Sequence, residues 1–487
     1  MKLPVYVAAR AAISPDLPAL DCGELRWTWA ELERSARACA SGLRALGARD
    51  GDLVAALLPN GAELVALAHA AALCGAALLP LNLRLTAREL AFQLGDARPR
   101  LLVHGAGELA ARAEAACAAL PEIRRSPPPP CDERAPAPLL THTSLSATAA
   151  VVYTSGTTGT PKGAELSHGA FLWSAVGSAF HLGALPGDRW LACLPLQHVG
   201  GLAILYRAAL SGAAVTVHER FDPARVADEL ERGGITLVSL VANMLERILD
   251  ARGERPAPAR LRCVLVGGGP CPPQLLARAR ALGFPIATTY GLTEAASQVA
   301  TLPLERARVP GAASGRPLFC TELRIASPDG IALPPGAEGE IAVRGPTLMK
   351  GYLGRPDATA QALRDGWLYT GDVGRIDAAG DLVVLDRRSD LIVSGGENVY
   401  PAEVEAALRE HPAIADAAVA GEPDAAFGAR VTAWVVLRSG ARASEQELVE
   451  FCRARLAGYK RPRRIQFAAA LPRSESGKLA RRELSTS

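Results

Sequence analysis

The sequence has little lysine, little net charge, no paired cysteines and no long apolar run, and each shortage argues against a class of protein. Its 53 basic residues nearly balance 50 acidic ones, and the excess of +3 is too small for a dedicated nucleic-acid binder. The ten cysteines form no CxxC pair and no Cys/His cluster with zinc-ligand spacing. Reduced thiols in a cytoplasmic protein are therefore expected, and the N-terminus has no apolar run typical of a signal peptide.

The uncharged stretch at residues 64–81 has to be considered as a membrane span. It is rich in alanine, which drives insertion weakly, and it contains His69, Gly75 and Pro80. We therefore expect a buried helix, a stop at the glycine and then a strand. Neither a membrane span nor a nucleic-acid partner is expected.

What is present indicates a large globular chain of the α/β class. The 487 residues are 49% hydrophobic and 21% charged, close to ordinary globular usage. Short apolar runs such as residues 53–58 and 101–103 alternate with amphipathic stretches such as residues 29–46, which is typical of α/β folds. The polar run at residues 386–390 follows an apolar strand, and there we place a boundary between domains 1–388 and 389–487.

The scarcity of lysine is itself informative. Only five of the 53 basic residues are lysine: Lys2, Lys162, Lys350, Lys460 and Lys478. Lysine offers a compact point charge where arginine offers a rigid planar fork, so a retained lysine can mark a site that arginine cannot serve. Chance retention is the alternative, and we prefer it for Lys2 and Lys350.

A glycine-rich loop follows the predicted strand 149–153. Its glycines free the backbone to surround an anion with N–H groups, its hydroxyls add donors and its lysine adds charge. It differs from the loop of P-loop ATPases because Pro161 precedes the lysine and no Ser or Thr follows it. We predict a phosphate-binding loop made by Thr154, Ser155, Gly156, Thr157, Thr158, Gly159 and Lys162.

This loop resembles the signature of the adenylate-forming enzymes, which include acyl-CoA synthetases, luciferases and the adenylation domains of peptide synthetases. Five further segments resemble that family's motifs in the family's order: Val264-Leu265-Val266-Gly267-Gly268-Gly269, Tyr290-Gly291-Leu292-Thr293-Glu294, Tyr369-Thr370-Gly371-Asp372, Asp386-Arg387-Arg388-Ser389-Asp390, and Leu471 through Gly477-Lys478. The resemblance implies a large N-terminal adenylation domain of α/β layers with a β-barrel-like part. It also implies a small, mobile α+β C-terminal domain, with ATP and CoA as co-substrates and Mg²⁺ as the metal.

The resemblance also assigns ATP-site roles. Tyr290 is matched to a ring against adenine, Thr293 to an α-phosphate donor, Glu294 to a magnesium ligand and Asp372 to a ribose acceptor. A surface glutamate, a tyrosine packed in the core and a turn aspartate are the plainer alternatives for Glu294, Tyr290 and Asp372. Together with the loop, the expected ATP-binding residues are Gly267, Gly268, Gly269, Tyr290, Gly291, Asp372 and Arg387.

The C-terminal matches concern catalysis and domain movement. Lys478 is matched to the catalytic lysine that stabilises charge shared by the carboxylate and the α-phosphate, with a solvated cation as the alternative. Ser389 stands at the hinge position, where many family members carry Asp or Lys, and Gly395 and Gly396 are matched to the CoA step. The excess of basic residues between 453 and 482 is expected to meet ATP and CoA phosphates.

The acid pocket is predicted around residues 195–207. His198 is matched to the family's histidine that orients the acid, with a satisfied core histidine as the alternative. The stretches between motifs resemble acyl-CoA synthetases of menaquinone synthesis that act on o-succinylbenzoate, although Gln197 and Gly200 depart from the usual pocket wall. That acid has a spare carboxylate, which we assign to Arg207, against the alternative of a surface cation; Gly268 is the third predicted pocket residue.

The predicted activity is thus that of an AMP-forming acid–thiol ligase. Three rivals stay open: a ligase for another aryl or medium-chain acid, an adenylating enzyme that loads a carrier protein, and a catalytically inactive binding protein. The last would be expected to lack Lys478 or Glu294, and both are present. A homo-oligomer is neither predicted nor excluded.

Overall fold

A computed structural model describes residues 1–129, 139–154, 160–269, 271–308, 313–386, 391–424, 426–472 and Leu484. Strands and helices are numbered along the chain. Up to the glycine-rich loop they are β1 (Lys2–Pro4), α1 (Tyr6–Ile13), β2 (Pro18–Cys22), β3 (Leu25–Thr28), α2 (Trp29–Ala45), β4 (Leu53–Leu57), α3 (Ala62–Cys74), β5 (Ala77–Pro80), α4 (Ala87–Ala97), β6 (Leu101–His104), α5 (Glu108–Ala116), β7 (Arg124–Ser126), β8 (His142–Ser144) and β9 (Thr148–Thr154).

The middle of the chain alternates strands and helices. Its elements are β10 (Lys162–Ser167), α6 (His168–Leu182), β11 (Arg189–Ala192), α7 (Val199–Ser211), β12 (Ala214–Val217), α8 (Pro223–Arg232), β13 (Leu237–Leu240), α9 (Ala242–Arg252), β14 (Cys263–Val266), α10 (Pro273–Ala281), β15 (Ile286–Leu292) and β16 (Ser297–Thr301), with 3₁₀ turns at Thr293–Ala295 and Leu304–Arg306.

The last third is richer in strands. Its elements are β17 (Arg316–Pro317), β18 (Glu322–Ala326), β19 (Gly339–Arg344), β20 (Gly351–Tyr352), α11 (Pro356–Ala362), β21 (Leu363–Arg364), β22 (Trp367–Ile376), β23 (Leu382–Asp386), β24 (Ile392–Ser394), β25 (Glu397–Val399), α12 (Pro401–Arg409), β26 (Ile414–Asp424), β27 (Gly428–Leu437), α13 (Glu445–Arg453) and β28 (Arg464–Phe467).

Two large mixed sheets form the body of the N-terminal domain. One has seven strands in the order β20-β10-β9-β5-β4-β6-β7, and the other has nine in the order β17-β16-β15-β14-β13-β11-β12-β2-β3. The inner strands of both pair in parallel, for example β4 with β5 and β6, and β13 with β11 and β14. Their apolar runs are buried on both faces, as expected for parallel strands covered by helices. The predicted α/β layers are confirmed.

The uncharged stretch at residues 64–81 folds as its composition predicts. Helix α3 is buried almost throughout and ends at Gly75, which adopts the left-handed conformation with φ 70°. The left-handed backbone favours glycine here, and a Cβ at this position would lie 2.1 Å from Oδ1 of Asp50, whose side chain would have to move. Strand β5 then enters the seven-stranded sheet. Within the described part of the chain, no helix is long and apolar enough to cross a bilayer.

A smaller antiparallel sheet corresponds to the predicted barrel-like part. It has the order β18-β19-β22-β21, with β23 paired to β22, and it spans residues 322–386. Its longest strand, β22, carries the TGD motif. Tyr290 and Leu382 share a hydrophobic cluster with Ile325 and Ile341, so this sheet packs against the end of β15. That packing brings the TGD motif and the YGxTE motif together.

The C-terminal part forms a sheet of its own. Strands β24 to β28 pair in the order β25-β24-β27-β26, with β28 parallel to β27, and α12 packs on β26. Every strand of this sheet comes from residues after 391, which gives a small α+β unit beside a large one. The predicted boundary between 388 and 389 lies outside the described residues and stays a prediction.

Candidate active site

A cavity of about 740 Å³ lies where the two large sheets, the smaller sheet and the C-terminal unit meet. Its walls include the ends of β9, β14 and β15, the start of α7, and the loop and strand at residues 395–398. Of the residues predicted from the sequence, the structure brings together at this cavity Thr154, Lys162, His198, Arg207, Gly267, Gly268, Gly291, Thr293, Glu294, Asp372, Gly395 and Gly396. Clefts at the carboxyl ends of parallel strands are the usual ligand sites of α/β proteins.

Several predicted residues lie outside the described part of the chain. These are Ser155, Gly156, Thr157, Thr158, Gly159, Arg387, Ser389 and Lys478, whose roles stay predictions. Thr154 and Lys162 flank the first group, because they end β9 and begin β10 as antiparallel partners. The loop that joins these two residues therefore starts and finishes at the cavity.

A carboxylate and an ammonium group of the cavity wall share one tyrosine as a neighbour. Glu294 lies in the 3₁₀ turn after β15, and its Oε1 accepts a hydrogen bond of 2.8 Å from the hydroxyl of Tyr352. The Lys162 Nζ lies 5.4 Å from the centroid of the same tyrosine ring. Sequence reasoning missed Tyr352, since its Gly-Tyr dipeptide stands in a short edge strand with no recognisable chemical pattern.

Asp372 faces the cavity from β22, and its Oδ2 accepts a hydrogen bond of 2.7 Å from the hydroxyl of Tyr290. The Tyr290 ring is 4% exposed and packs among Ile341 and Val343, behind the cavity wall. This placement corresponds to the core tyrosine considered as the alternative, and it gives the hydroxyl the task of orienting Asp372. Stacking of Tyr290 on adenine stays a prediction.

The glycines of the 267–269 turn behave differently from one another. Gly268 has φ 78°, which favours glycine, and it lines the cavity. A Cβ on Gly267 would lie 2.6 Å from the Thr289 side chain. Gly269 sits against Val393 of the C-terminal unit, whose side chain is 3.6 Å from a built Cβ. The turn therefore serves both the cavity and the contact between the two units.

His198 joins the two units. It stands at the N-cap position of α7 without a side-chain capping bond, and its Nε2 lies 3.0 Å from Oε2 of Glu397, which is itself 4% exposed. Asn82 and Arg84 each donate a hydrogen bond of 3.3 Å to the same carboxylate. The sequence predicts that residues 395–397 reach the site, but not that Glu397 meets these three donors.

Burial and charge act in opposite directions on this pair. Burial disfavours the imidazolium, but the carboxylate of Glu397 outweighs it, so the pKa of His198 is raised above its usual range. Burial likewise opposes the charge of Glu397, and His198 and Arg84 outweigh that effect, so the pKa of Glu397 is lowered. The ion pair between the His198 imidazolium and the Glu397 carboxylate is complete below about pH 6.5, and it is lost as the pH rises through the raised pKa of His198. At acid pH the ion pair is lost as the Glu397 carboxylate is protonated, which occurs below its lowered pKa.

We expect Glu397→Gln to slow thioester formation from supplied acyl-adenylate while leaving adenylate formation near the wild-type rate. The amide keeps the size of the side chain but gives up the charged contact that docks the C-terminal unit. A loss of about 10-fold is expected, since His198 is partly open to the cavity and the contact is partly screened. Rapid-quench measurement of each half-reaction checks this, and equal losses in both would contradict it.

Lys460 forms a second contact between the units and is buried, at 3% exposure. Its Nζ donates to Glu89 of α4 at 2.8 Å and to Glu403 of α12 at 2.6 Å. Burial disfavours its charge, but Glu403, Tyr459 and Glu89 outweigh burial and raise the pKa of Lys460. Glu89 also closes the capping box of α4 with Thr86, which fixes it in place. Sequence analysis identified this lysine as unusual but assigned it no partner.

Arg207 is a buried cation in the cavity wall. It is 3% exposed, its Nη2 donates to Oγ of Ser297 at 3.1 Å, and its guanidinium lies 5.5 Å from the ring centroid of Trp190. Its Nε has no hydrogen-bond partner among the described residues. Burial lowers the pKa of Arg207 to about 10, so it stays cationic near neutral pH. Of the described residues, no carboxylate pairs with it.

Cys193 and Cys263 have unreactive thiols. Cys193 directly follows β11 and Cys263 begins β14; both are buried, and neither is among the residues that line the cavity. Burial raises the pKa of each thiol to about 12. All nine cysteines in the described part of the chain are free thiols. This agrees with the expectation of reduced thiols.

Comparison with family models identifies two separate regions. The model described as AMP-binding enzyme matches residues 7–353, and the model described as AMP-binding enzyme C-terminal domain matches residues 403–478. Among named relatives, the 2-succinylbenzoate–CoA ligase of Geobacillus kaustophilus (strain HTA426) is 44% identical over 99% of this chain and 97% of its own. That of Bacillus mycoides (strain KBAB4) is 40% identical over 99% and 98%.

Two solved structures of one Bacillus subtilis enzyme, o-succinylbenzoate CoA synthetase, match this chain with different TM-scores. The double mutant with the product analogue OSB-NCoA gives a TM-score of 0.94 at 39% identity, covering 100% of this chain and 99% of its own. The complex with ATP and magnesium ion gives 0.76 at 39% identity, with 100% of both chains covered. Since identity and coverage agree, the arrangement of this chain is closer to that of the product-analogue complex.

Proposed function

The chain belongs to the AMP-binding enzyme family, and on this premise we propose that it is an AMP-forming acid–thiol ligase acting on o-succinylbenzoate. It joins the acid to CoA through an acyl-adenylate and releases AMP and pyrophosphate. The observation that carries the proposal is a single cavity lined by Lys162, Glu294 and the buried cation Arg207. Such a cavity suits ATP and an acid with two carboxylates. The sequence resemblance gives this reaction its place in menaquinone synthesis.

The first half-reaction needs charge neutralisation and alignment, because a carboxylate anion attacks the α-phosphate of ATP. We assign Lys162, Thr293 and the loop residues 154–159 to the phosphates. Glu294 is a suitable Mg²⁺ ligand, since this ion is often held by one or two carboxylates together with phosphate oxygens and water. Bound Mg²⁺ supplies further neutralisation of the triphosphate.

The adenosine end is assigned to the motifs that the smaller sheet brings in. Asp372 accepts hydrogen bonds from the ribose hydroxyls, and Tyr290 holds its carboxylate in place through the 2.7 Å hydrogen bond. Gly267, Gly268, Gly269 and Gly291 let the backbone approach the nucleoside. Arg387 completes the assigned ATP site.

The acid is assigned to the region between α7 and the 267–269 turn. His198 and Gly268 border the reacting carboxylate, and Arg207 pairs with the spare one. His198 orients the acid and does not act as a general base, since a carboxylate is already ionised near neutral pH. Arg207 supports this assignment because it is a buried cation without a carboxylate partner in the described structure.

The second half-reaction is assigned to the arrangement that this chain adopts. In it the C-terminal unit, residues 389–487, presents Gly395, Gly396 and Glu397 to the cavity, and CoA then displaces AMP. We propose that the unit pivots near Ser389, so that Lys478 serves the first half-reaction and is withdrawn in the second. The higher TM-score with the product-analogue complex supports this order. The cytoplasm is the proposed compartment, in keeping with the free thiols.

Purified protein with Mg-ATP, o-succinylbenzoate and CoA should yield a thioester, AMP and pyrophosphate. A pyrophosphate-release screen against a panel of acids, with and without CoA, checks both the acid and the acceptor. Formation of ADP and phosphate would contradict the mechanism. Much higher kcat/KM for another acid, with o-succinylbenzoate inert, would overturn the substrate alone. Release of pyrophosphate without transfer to CoA would favour an enzyme that loads a carrier protein.

A further inference from the structure

The segment at residues 349–353 connects the elements that carry Glu294 and Lys162, two charged residues of the cavity wall. The backbone N–H of Met349 donates to the carbonyl of Glu294, and that of Leu353 donates to the carbonyl of Gly163, each at 2.8 Å. Strand β20 pairs with β10 through Tyr352 and Ala164. One short segment is thus bonded to the turn that carries Glu294 and to the strand that begins with Lys162.

The backbone of Tyr352 is fixed from the other side as well. Its N–H donates to Oγ1 of Thr359 at 2.9 Å, and a Cβ on the preceding Gly351 would lie 2.8 Å from that threonine. The glycine has φ 154° and lets the chain approach α11 closely. The position of the Tyr352 side chain therefore follows from contacts with three separate elements.

The side chain of Tyr352 contacts both charged groups. Its hydroxyl donates to Oε1 of Glu294 at 2.8 Å, and its ring face lies 5.4 Å from Nζ of Lys162. All three side chains line the cavity. A hydrogen bond to one carboxylate oxygen limits the rotamers of a glutamate, and a ring face beneath an ammonium group limits those of a lysine.

We propose that Tyr352 is a positioning residue for adenylate formation, which sets the direction of the Glu294 carboxylate toward Mg²⁺ and of the Lys162 ammonium toward the phosphates. The inference rests on the proposed function for the role of Mg-ATP. The hydrogen bond of the hydroxyl to Oε1 limits how the Glu294 carboxylate can turn. Because Mg²⁺ requires nearly ideal octahedral geometry, a freely rotating carboxylate binds it less well than a fixed one.

The test is Tyr352→Phe, which removes the hydroxyl and keeps the ring. We expect the half-saturating Mg²⁺ concentration for acid-dependent ATP–pyrophosphate exchange to rise about 3- to 10-fold and kcat to fall about 10-fold. The rate of thioester formation from supplied acyl-adenylate should stay unchanged, which also reports that the variant is folded. Tyr352→Leu should in addition raise KM for ATP, since the ring beneath Lys162 is lost.

A matched control is Tyr153→Phe. Its hydroxyl also donates to a carboxylate, Oδ2 of Asp96 at 2.7 Å, and its side chain lines the same cavity. Whatever this variant does to kcat, its half-saturating Mg²⁺ should match that of the wild type. An unchanged Mg²⁺ dependence in Tyr352→Phe, or equal losses in both half-reactions, would overturn the proposal.

A binding measurement separates this proposal from the choice of acid. Electron paramagnetic resonance of Mn²⁺ with a non-hydrolysable ATP analogue needs neither the acid nor turnover. Tyr352→Phe should weaken Mn²⁺ binding to the protein–nucleotide complex about 3- to 10-fold relative to wild type and to Tyr153→Phe. Equal Mn²⁺ affinity in all three proteins would refute the role of Tyr352. A wild type that binds Mn²⁺ with the analogue but adenylates no acid would instead count against the proposed substrate.

Discussion

Lys478→Ala should abolish adenylate formation while sparing thioester formation from supplied acyl-adenylate. Its charge is needed where the α-phosphate is attacked, and the structure already presents residues 395–397 to the cavity in the arrangement assigned to the second half-reaction. Removal of one preorganised donor costs about 10²–10³ in rate. Pyrophosphate exchange measures the first half-reaction, and rapid mixing of synthetic acyl-adenylate with CoA measures the second.

Two further variants sharpen this prediction. Lys478→Arg should rescue poorly, since a planar fork cannot replace a point charge at close range. Lys2→Ala removes an exposed lysine of β1 and should leave both half-reactions at the wild-type rate. If Lys478→Ala slowed both half-reactions equally, the assignment of the two arrangements to two steps would be refuted.

Arg207→Met should lower kcat/KM for o-succinylbenzoate strongly. Direct pairing in a desolvated pocket predicts a loss of roughly 2–5 kcal/mol, part of it the cost of leaving the spare carboxylate unpaired. A water-bridged contact would cost about 1–2 kcal/mol. A monocarboxylic analogue that lacks the benzoate carboxyl should be a poor substrate of wild type and should gain relative to o-succinylbenzoate in the variant.

The chain offers a matched control in Arg252. It too is 3% exposed, lies over an aromatic ring (Phe284, at 5.6 Å) and has an Nε without a partner among the described residues, but it is outside the cavity wall. Arg252→Met should lower stability and leave the ratio of kcat/KM for the two acids unchanged. The same unchanged ratio in Arg207→Met would remove Arg207 from the acid pocket.

Local patterns predicted much of this site because its groups have characteristic neighbours in the sequence. Lys162 follows a glycine-rich loop, Glu294 follows a buried strand, and Asp372 follows a glycine. All three line one cavity in the structure. The alternating apolar runs likewise predicted the two large α/β layers, which depend on the periodicity of burial.

Contacts between distant segments could not be predicted in this way. Glu397 meets His198 across 199 positions, and Tyr352 meets Glu294 across 58. These pairs depend on how sheets dock, which no local spacing encodes. The orientation of Tyr290 is a similar case, since a tyrosine at a strand end is equally compatible with a core and with a cavity until the neighbouring sheet is in place.

The protonated thiols of Cys193 and Cys263 favour the persistence of the acyl-adenylate intermediate. An acyl-adenylate is an electrophile, and a protein thiolate within reach would take the acyl group and leave the enzyme acylated on itself. With thiol pKa values of about 12, Cys193 and Cys263 hold almost no thiolate near neutral pH. Neither thiol lines the cavity. The activated acyl group is thereby kept for the thiol that arrives with CoA.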